Sequence, residues 1–257
     1  MFIVLYFILI VFLYSNYFEF LFKFGTLWAS DPIINQILPI IKIRKRGYMP
    51  KEEKIRVSNN IPEWFNQVVC GLMLSDANIR MHGKQATMSI QQTHKELTEE
   101  IWKMCFQLNL VLSEIHIINR KNRKLVYSFQ TLTLPFFTSL YQEWYQTINN
   151  KNYKVLPLNL DCYFTPLTFA FLIMGDGSWD KSGSRIVLHL NNFHLNEVKR
   201  IQAIILSKFN IFSYKIRTLH SDKDRGYIIK IPSKEVSKVR ELVSGYMYPT
   251  LKYKIGF

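Results

Sequence analysis

The sequence predicts an α+β protein built from two copies of one unit, each copy contributing one sheet. Three observations predict it. VVCGLMLSDAN from Val68 and TFAFLIMGDGS from Thr168 are both apolar runs closed by a small residue, an aspartate and another small residue, and Asp76 and Asp176 lie one hundred positions apart. The same offset relates His94 to His194, Tyr127 to Tyr227, and Tyr153-Lys154 to Tyr253-Lys254. Helical and alternating patterns then follow each aspartate in the same order, which is how a duplicated unit reads.

In the first copy the apolar run up to Asp76 predicts a helix, and alternation from Ala86 to Gln91 predicts a strand. Leu97, Ile101, Met104, Cys105 and Leu108 recur at helical spacing, with Thr93 and Glu96 as a capping box. Two strands are expected around Ile115–Ile117 and Leu125–Phe129, joined by the basic turn Arg120-Lys121-Asn122-Arg123-Lys124, and a helix over Pro135–Ile148 closes the unit. The second copy predicts a helix to Asp176, a strand over Arg185–Asn191 and a helix over Leu195–Phe209. Strands near Tyr214–Arg217 and Tyr227–Ile231 and a helix from Ser233 complete it. The boundaries expected are a hydrophobic leader over 1–30, a basic linker over 31–61, a first unit over 62–148, a linker over 149–161 and a second unit over 162–257.

Hydrophobic residues make up 48% of the 257 residues, which excludes a disordered chain, and the net charge of +14 points to a polyanionic partner. Cys70, Cys105 and Cys162 have no metal-ligand or disulfide spacing, and their apolar surroundings predict buried free thiols. His189 and His194 sit where a strand meets a helix, a better explanation than metal ligation. Phe2–Tyr14 is apolar throughout, but it is too short and too soon interrupted for a membrane span, which argues against membrane association. It also lacks the basic residues of a secretory or mitochondrial import signal. The abundance of Phe, Tyr, Ile, Lys and Asn, residues with AT-rich codons, suits an organelle-encoded protein that needs no such signal.

An aspartate at a helix C-terminus faces the negative end of the macrodipole, at a cost of a few tenths to about 1 kcal/mol. Two such aspartates brought together repel unless a cation lies between them. Either one alone is more simply a solvated residue before a turn; their shared register favours a joint role.

CGLMLSDAN (Cys70–Asn78) and AFLIMGDGS (Ala170–Ser178) resemble the two signature copies of the LAGLIDADG homing endonuclease family. YFTPLTFAFLIMGDGSWD, IVLHLNNFHLNEV and YMYPTLKYKIGF are similar to the branch that includes the mitochondrial omega-intron endonuclease, over roughly Pro62–Phe257. Phe171 departs from the pattern, standing where the family has a small residue. The resemblance implies a tandem αββαββα repeat with two saddle-shaped antiparallel sheets and helices on one face. It implies a monomeric, mitochondrial enzyme that cuts double-stranded DNA with Mg²⁺ (or Mn²⁺) held by Asp76 and Asp176. Lys154 and Lys254, each 78 residues beyond an aspartate, match lysines placed beside the acids.

The alternating faces Gln85, Thr87, Ser89, Gln91 and Arg185, His189, Asn191 are expected to read bases in the major groove. Arg120, Lys121, Arg123, Lys124, Lys223 and Arg225, read as turn residues, are expected on phosphates. An ordinary solvent face is the alternative for both sets. Two other functions stay open: an intron RNA maturase on the same fold, with or without nuclease activity, and a non-catalytic membrane-associated protein suggested by the leader alone.

Overall fold

The computed structural model describes residues 49–220 and 223–257, with side chains placed outside 217–225. The leader over 1–30 and most of the segment over 31–61 lie outside the described residues. The described end of that segment is not a bare linker, since it holds helix α1 (Lys51–Asn59) behind Pro50, with Glu52 and Glu53 in its first turn.

Helix α2 (Glu63–Met73) carries the first apolar run and ends three residues before Asp76. Strands β1 (Ala77–His82) and β2 (Gln85–Gln92) follow, closed by a tight turn at Gly83, whose φ is +65°. Helix α3 (Lys95–Gln107) buries Leu97, Thr98, Ile101 and Cys105. Its cap residue is His94 and not Thr93, and no side-chain capping bond forms. Strands β3 (His116–Ile118) and β4 (Val126–Gln130) complete an antiparallel sheet of order β1-β2-β4-β3.

Helix α4 (Pro135–Trp144) stops four residues short of the expected end. There the chain turns into a hairpin of β5 (Tyr145–Ile148) and β6 (Lys151–Lys154), and Asn149 and Asn150 both take positive φ, the requirement of a two-residue type I′ turn. The segment between the units therefore has structure of its own, including the short helix α5 (Leu160–Tyr163).

The second copy repeats the plan. Thr165 caps helix α6 (Pro166–Asp176) by accepting from the Thr168 amide at 3.3 Å, and Pro166 suits the first turn. Strands β7 (Gly177–Asp180) and β8 (Arg185–His189) precede helix α7 (Leu195–Phe209). In α7 the Glu197 carboxylate reaches back to the His194 amide at 2.8 Å. Strands β9 (Tyr214–His220) and β10 (Lys223–Ile231) give sheet order β7-β8-β10-β9. Helix α8 (Ser233–Val243) and a 3₁₀ helix over Pro249–Ile255 follow. Both long helices end in a left-handed asparagine, Asn109 and Asn210.

Strand alternation sends Ile79, Met88, Ile90 and Phe129 inward in the first sheet, and Ile186, Leu188, Ile229 and Ile231 inward in the second; all are buried. The offset of one hundred survives only through compensation. In the first hairpin Ala77 pairs with Ile90, whereas in the second Gly177 pairs with Leu188, two residues sooner. The loop before His194 is longer by the same amount. Among the described residues no helix is long and apolar enough to cross a membrane.

Candidate active site

Helices α2 and α6 pack against each other, and two of the tight approaches along them pair residues one hundred positions apart. A Cβ on Gly71 would lie 2.6 Å from the Phe171 Cβ and 2.6 Å from the Thr168 carbonyl oxygen. A Cβ on Gly175 would lie 2.3 Å from the Ser75 Oγ and 3.2 Å from the Asp76 Oδ2. Contacts between a residue and its own counterpart mark a pseudo-two-fold axis between the helices. Phe171 is thus accommodated because its counterpart is Gly71, and Ser75 because its counterpart is Gly175. Each pair needs only one small member.

The same packing brings Asp76 against the residue preceding Asp176, and their electrostatics register it. Burial and then the Asp76 charge push the Asp176 carboxyl up to about 7, against the opposing pull of Lys254 and Lys154. Burial likewise raises Asp76, with both lysines opposing. Lys154, in β6, is pulled down to about 8 by burial, and Lys254, in the 3₁₀ helix, is also lowered by burial. The Lys154 Nζ donates to the Ala77 carbonyl at 2.8 Å; the Lys254 Nζ donates to the carbonyls of Met174 at 2.6 Å and Gly175 at 2.8 Å. Each lysine bonds the backbone of its own copy, yet the acid with the larger influence on it belongs to the other copy: Asp176 for Lys154 and Asp76 for Lys254. The four side chains form one cluster across the axis.

Two carboxylates are hard oxygen donors, and divalent cations of the magnesium type are held by one or two of these together with substrate phosphates. No group of three or more His, Cys, Asp and Glu able to hold a metal occurs among the described residues. Two carboxylates suit a cation that completes its shell with water and phosphate, and the Asp176 carboxyl, raised to about 7, reflects a cost of ionisation that a cation would relieve.

A stability prediction follows. The folded-state value for Asp176, about 7, lies above the ordinary 3.8, so between those values the native state holds a proton that the unfolded chain has released. This contribution is fully present at low pH and is lost as pH rises towards 7. Urea unfolding in EDTA is expected to show stability falling between pH 4.5 and 7.5, with Asp176→Asn removing its own share of that fall while Asp76 keeps its share, and raising metal-free stability at pH 7.5 by on the order of 2–4 kcal/mol. An unchanged slope in the variant would mean that the carboxyl is not held in this environment.

The outer faces of the sheets differ from the sequence reading in several places. Thr87, expected on an exposed polar face, is only 4% exposed because Gln130 lies over it, donating from Nε2 to its Oγ1 at 2.6 Å. Gln85 is occupied by Lys54, whose Nζ reaches its Oε1 at 3.2 Å. Ser89 is half-buried, and Gln91 is exposed as expected. Arg185 is not a free reader: its guanidinium pairs with Asp180 through Nε at 3.2 Å and Nη2 at 2.9 Å, and reaches the Tyr214 hydroxyl at 3.0 Å. His189 is exposed with its Nε2 2.8 Å from the Ser178 Oγ, and Asn191 is exposed beyond it. Arg120, Lys121, Arg123 and Lys124 occupy an exposed turn at a left-handed Asn122. Lys223 and Arg225 belong to strand β10 and not to a turn, because β9 and β10 run on beyond their expected ends.

Three features escaped the sequence reading. Asn78, Arg80 and His82 of β1 share the outer face, signalled by alternation with Ala77, Ile79 and Met81. Gln130 joins them from β4 and approaches His82 at 3.2 Å. The Tyr145 hydroxyl donates to the Asn78 Oδ1 at 3.1 Å and accepts from the Ile79 amide at 3.1 Å, pinning the hairpin to the strand after Asp76. Cys70 and Cys105 are buried, but Cys162 is exposed, a correction to the expectation for all three.

Comparison with known proteins adds four relations. Residues 66–239 match the family model described as the LAGLIDADG DNA endonuclease family. The chain is 29% identical over 215 residues to the cytochrome b mRNA maturase bI2 of Debaryomyces hansenii, covering 80% of this chain and 79% of that protein. It is 24% identical over 203 residues to the DNA endonuclease I-ChuI of Chlamydomonas applanata, covering 74% of this chain and 93% of that one. Among solved structures, the homing endonuclease I-WcaI bound to its DNA recognition sequence has the same fold, with a TM-score of 0.68 at 24% identity, covering 82% of this chain and 95% of that one.

Proposed function

This chain belongs to the LAGLIDADG DNA endonuclease family, and from that premise we propose that it is a site-specific nuclease that hydrolyses one phosphodiester on each strand of duplex DNA, with divalent metal held by Asp76 and Asp176. The observation that carries the reading is the convergence of both acids and both lysines across one axis. Mg²⁺, with Mn²⁺ as a substitute, suits two carboxylates and a phosphate. Such an ion would supply polarisation of the phosphoryl oxygen and activation of water.

The protein's own groups do the rest. Asp76 and Asp176 orient the site towards a cation and a phosphate. Lys154 spends one of its three donors on the Ala77 carbonyl and keeps two for water or a phosphate oxygen. Lys254, committed to two carbonyls, fixes the end of α6 beside Asp176 and places its charge near the developing oxyanion. The outer faces of both sheets, with Asn78, Arg80, Gln91, Gln130, His189 and Asn191, lie against bases, and the basic turn at 120–124 lies on phosphates. The protein acts as a monomer on this reading, because both acids come from one chain. The maturase relative's name, with its cytochrome b mRNA, supports a mitochondrial setting.

The test is supercoiled plasmid carrying the uninterrupted exon junction of the gene that hosts this reading frame. Linear product in Mg²⁺, suppressed by EDTA, is expected; no linear product in either Mg²⁺ or Mn²⁺ would overturn the proposal. The 29% identity to a maturase favours a second activity in intron RNA splicing. Splicing of the host intron by Asp76→Asn protein at the native rate would separate that role from cleavage.

The basic turn carries its own prediction. Lys121→Ala with Lys124→Ala is expected to weaken binding to all duplexes about equally and to lower the salt slope by roughly 0.9 per lost phosphate contact. Competition binding across single-base variants at several salt concentrations checks it. Base-selective loss would move this turn into a groove.

A further inference from the structure

Lys254 reaches the acids from a short 3₁₀ helix over Pro249–Ile255, an element with few intrinsic hydrogen bonds to fix it. In the first copy a hairpin secures Lys154 by ladder bonds to Tyr145. The second copy has no such hairpin among its described residues, and a different device stands in that place. Arg240, on α8, extends its guanidinium across the end of the 3₁₀ helix. Its Nε donates to the Ile255 carbonyl at 2.8 Å and its Nη2 to the Gly256 carbonyl at 2.8 Å. These are carbonyls that a helix end leaves open, and the planar fork satisfies both at once.

Aromatic rings hold the fork in place. The guanidinium carbon lies 4.9 Å from the centroid of Phe257 and 5.6 Å from that of Trp179. Gly256 takes φ +80°, and a Cβ there would lie 2.6 Å from the Arg240 Nη2 and 2.6 Å from the Trp179 Cζ2. Only glycine lets the backbone approach so closely in that conformation. Trp179 belongs to β7, the strand that leaves Asp176. One side chain thus ties together helix α8, the strand after the second acid and the segment that presents the second lysine.

We propose that Arg240 is a positioning residue for Lys254, locking its segment against the strand that follows Asp176; the proposal rests on the nuclease reading for its consequence in catalysis. Lysine cannot replace it, because an ammonium lacks both the fork and the plane that stacks between rings. Arg240→Lys keeps the charge and loses the geometry.

Two measurements test this. In single-turnover cleavage, Arg240→Lys is expected to cut about 10–100-fold more slowly with DNA affinity little changed, the scale of a misplaced group. In a Lys254→Met background the same substitution is expected to have no further effect, since coupled residues are non-additive. Additive losses would overturn the proposal. The second measurement needs no cleavage activity: acylation of lysines by a succinimidyl ester, read by peptide mass spectrometry. Lys254 and Lys154 are expected to be protected in the native protein relative to Lys252, and Arg240→Lys is expected to expose Lys254 while Lys154 stays protected. Protection of Lys254 in the variant, or simultaneous exposure of both lysines, would overturn it. If the native protein cuts no DNA, the nuclease reading fails while labelling still decides the role of Arg240.

Discussion

Asp76→Asn and Asp176→Asn are each expected to lower double-strand cleavage on the order of 10³-fold, about 4 kcal/mol of transition-state stabilisation, with the duplex still bound. Each substitution is nearly isosteric and removes one hard oxygen ligand and one negative charge. Affinity for DNA is expected to be unchanged or higher, because a negative charge facing phosphates has gone. The fold is expected to tighten in the absence of metal, since burial and the Asp76 charge already press the Asp176 carboxyl towards its neutral form. Lower activity with equal or greater stability separates loss of the site from loss of the fold. Full cutting of both strands by either variant would remove the acids from the mechanism.

The acids were legible from the sequence because they are local signals repeated at a fixed offset. Asp76 and Asp176 each close an apolar run, and no knowledge of distant residues is needed to see them. The strands directly after them were harder. Ala77–His82 does alternate, but only a three-residue turn separates it from the helix, and Gly177–Asp180 is too short and polar to announce itself. The end of α4 was hidden because Tyr145–Ile148 continues a plausible helical pattern, and the signal that overrides it is the Asn149-Asn150 turn. Thr87 was misjudged for a different reason, since Gln130, which covers it, lies 43 residues away in sequence; Arg185 is engaged both by Asp180 across its own hairpin, five residues away, and by Tyr214, 29 residues away. Arg240 belongs to the same class. Its partners are two backbone carbonyls and two rings, none of which carries a spacing rule. Local chemistry was readable; tertiary cover was not.

The axis between the copies is the other place where a single atom matters, and Gly71→Ala tests it. Alanine favours a helix over glycine by about 1 kcal/mol, so propensity alone predicts a more stable protein. Here the added Cβ meets the Phe171 Cβ at 2.6 Å and the Thr168 carbonyl oxygen at 2.6 Å, with the Leu172 amide nitrogen at 3.3 Å. A backbone oxygen cannot swing aside as a side-chain end can. Thr168 is anchored further, its hydroxyl lying between the Tyr163 carbonyl at 2.5 Å and the Gln67 carbonyl at 3.0 Å across the same interface. Relief requires α2 and α6 to separate, which opens contacts along both helices. The net effect is expected to be destabilisation by about 2–3 kcal/mol, the upper range for overpacking, despite the propensity gain. Gly83→Ala is the control: it sits at φ +65° with nothing within 4 Å of the new Cβ, so only the left-handed backbone opposes it, at about 1–2 kcal/mol. Because α2 and α6 also deliver Asp76 and Asp176, Gly71→Ala is expected to slow cleavage in protein that is still folded, whereas Gly83→Ala leaves cleavage intact. Denaturant unfolding and single-turnover cleavage on the same samples decide it, and a Gly71→Ala protein as stable as the native one would mean that the two helices do not cross at this pair.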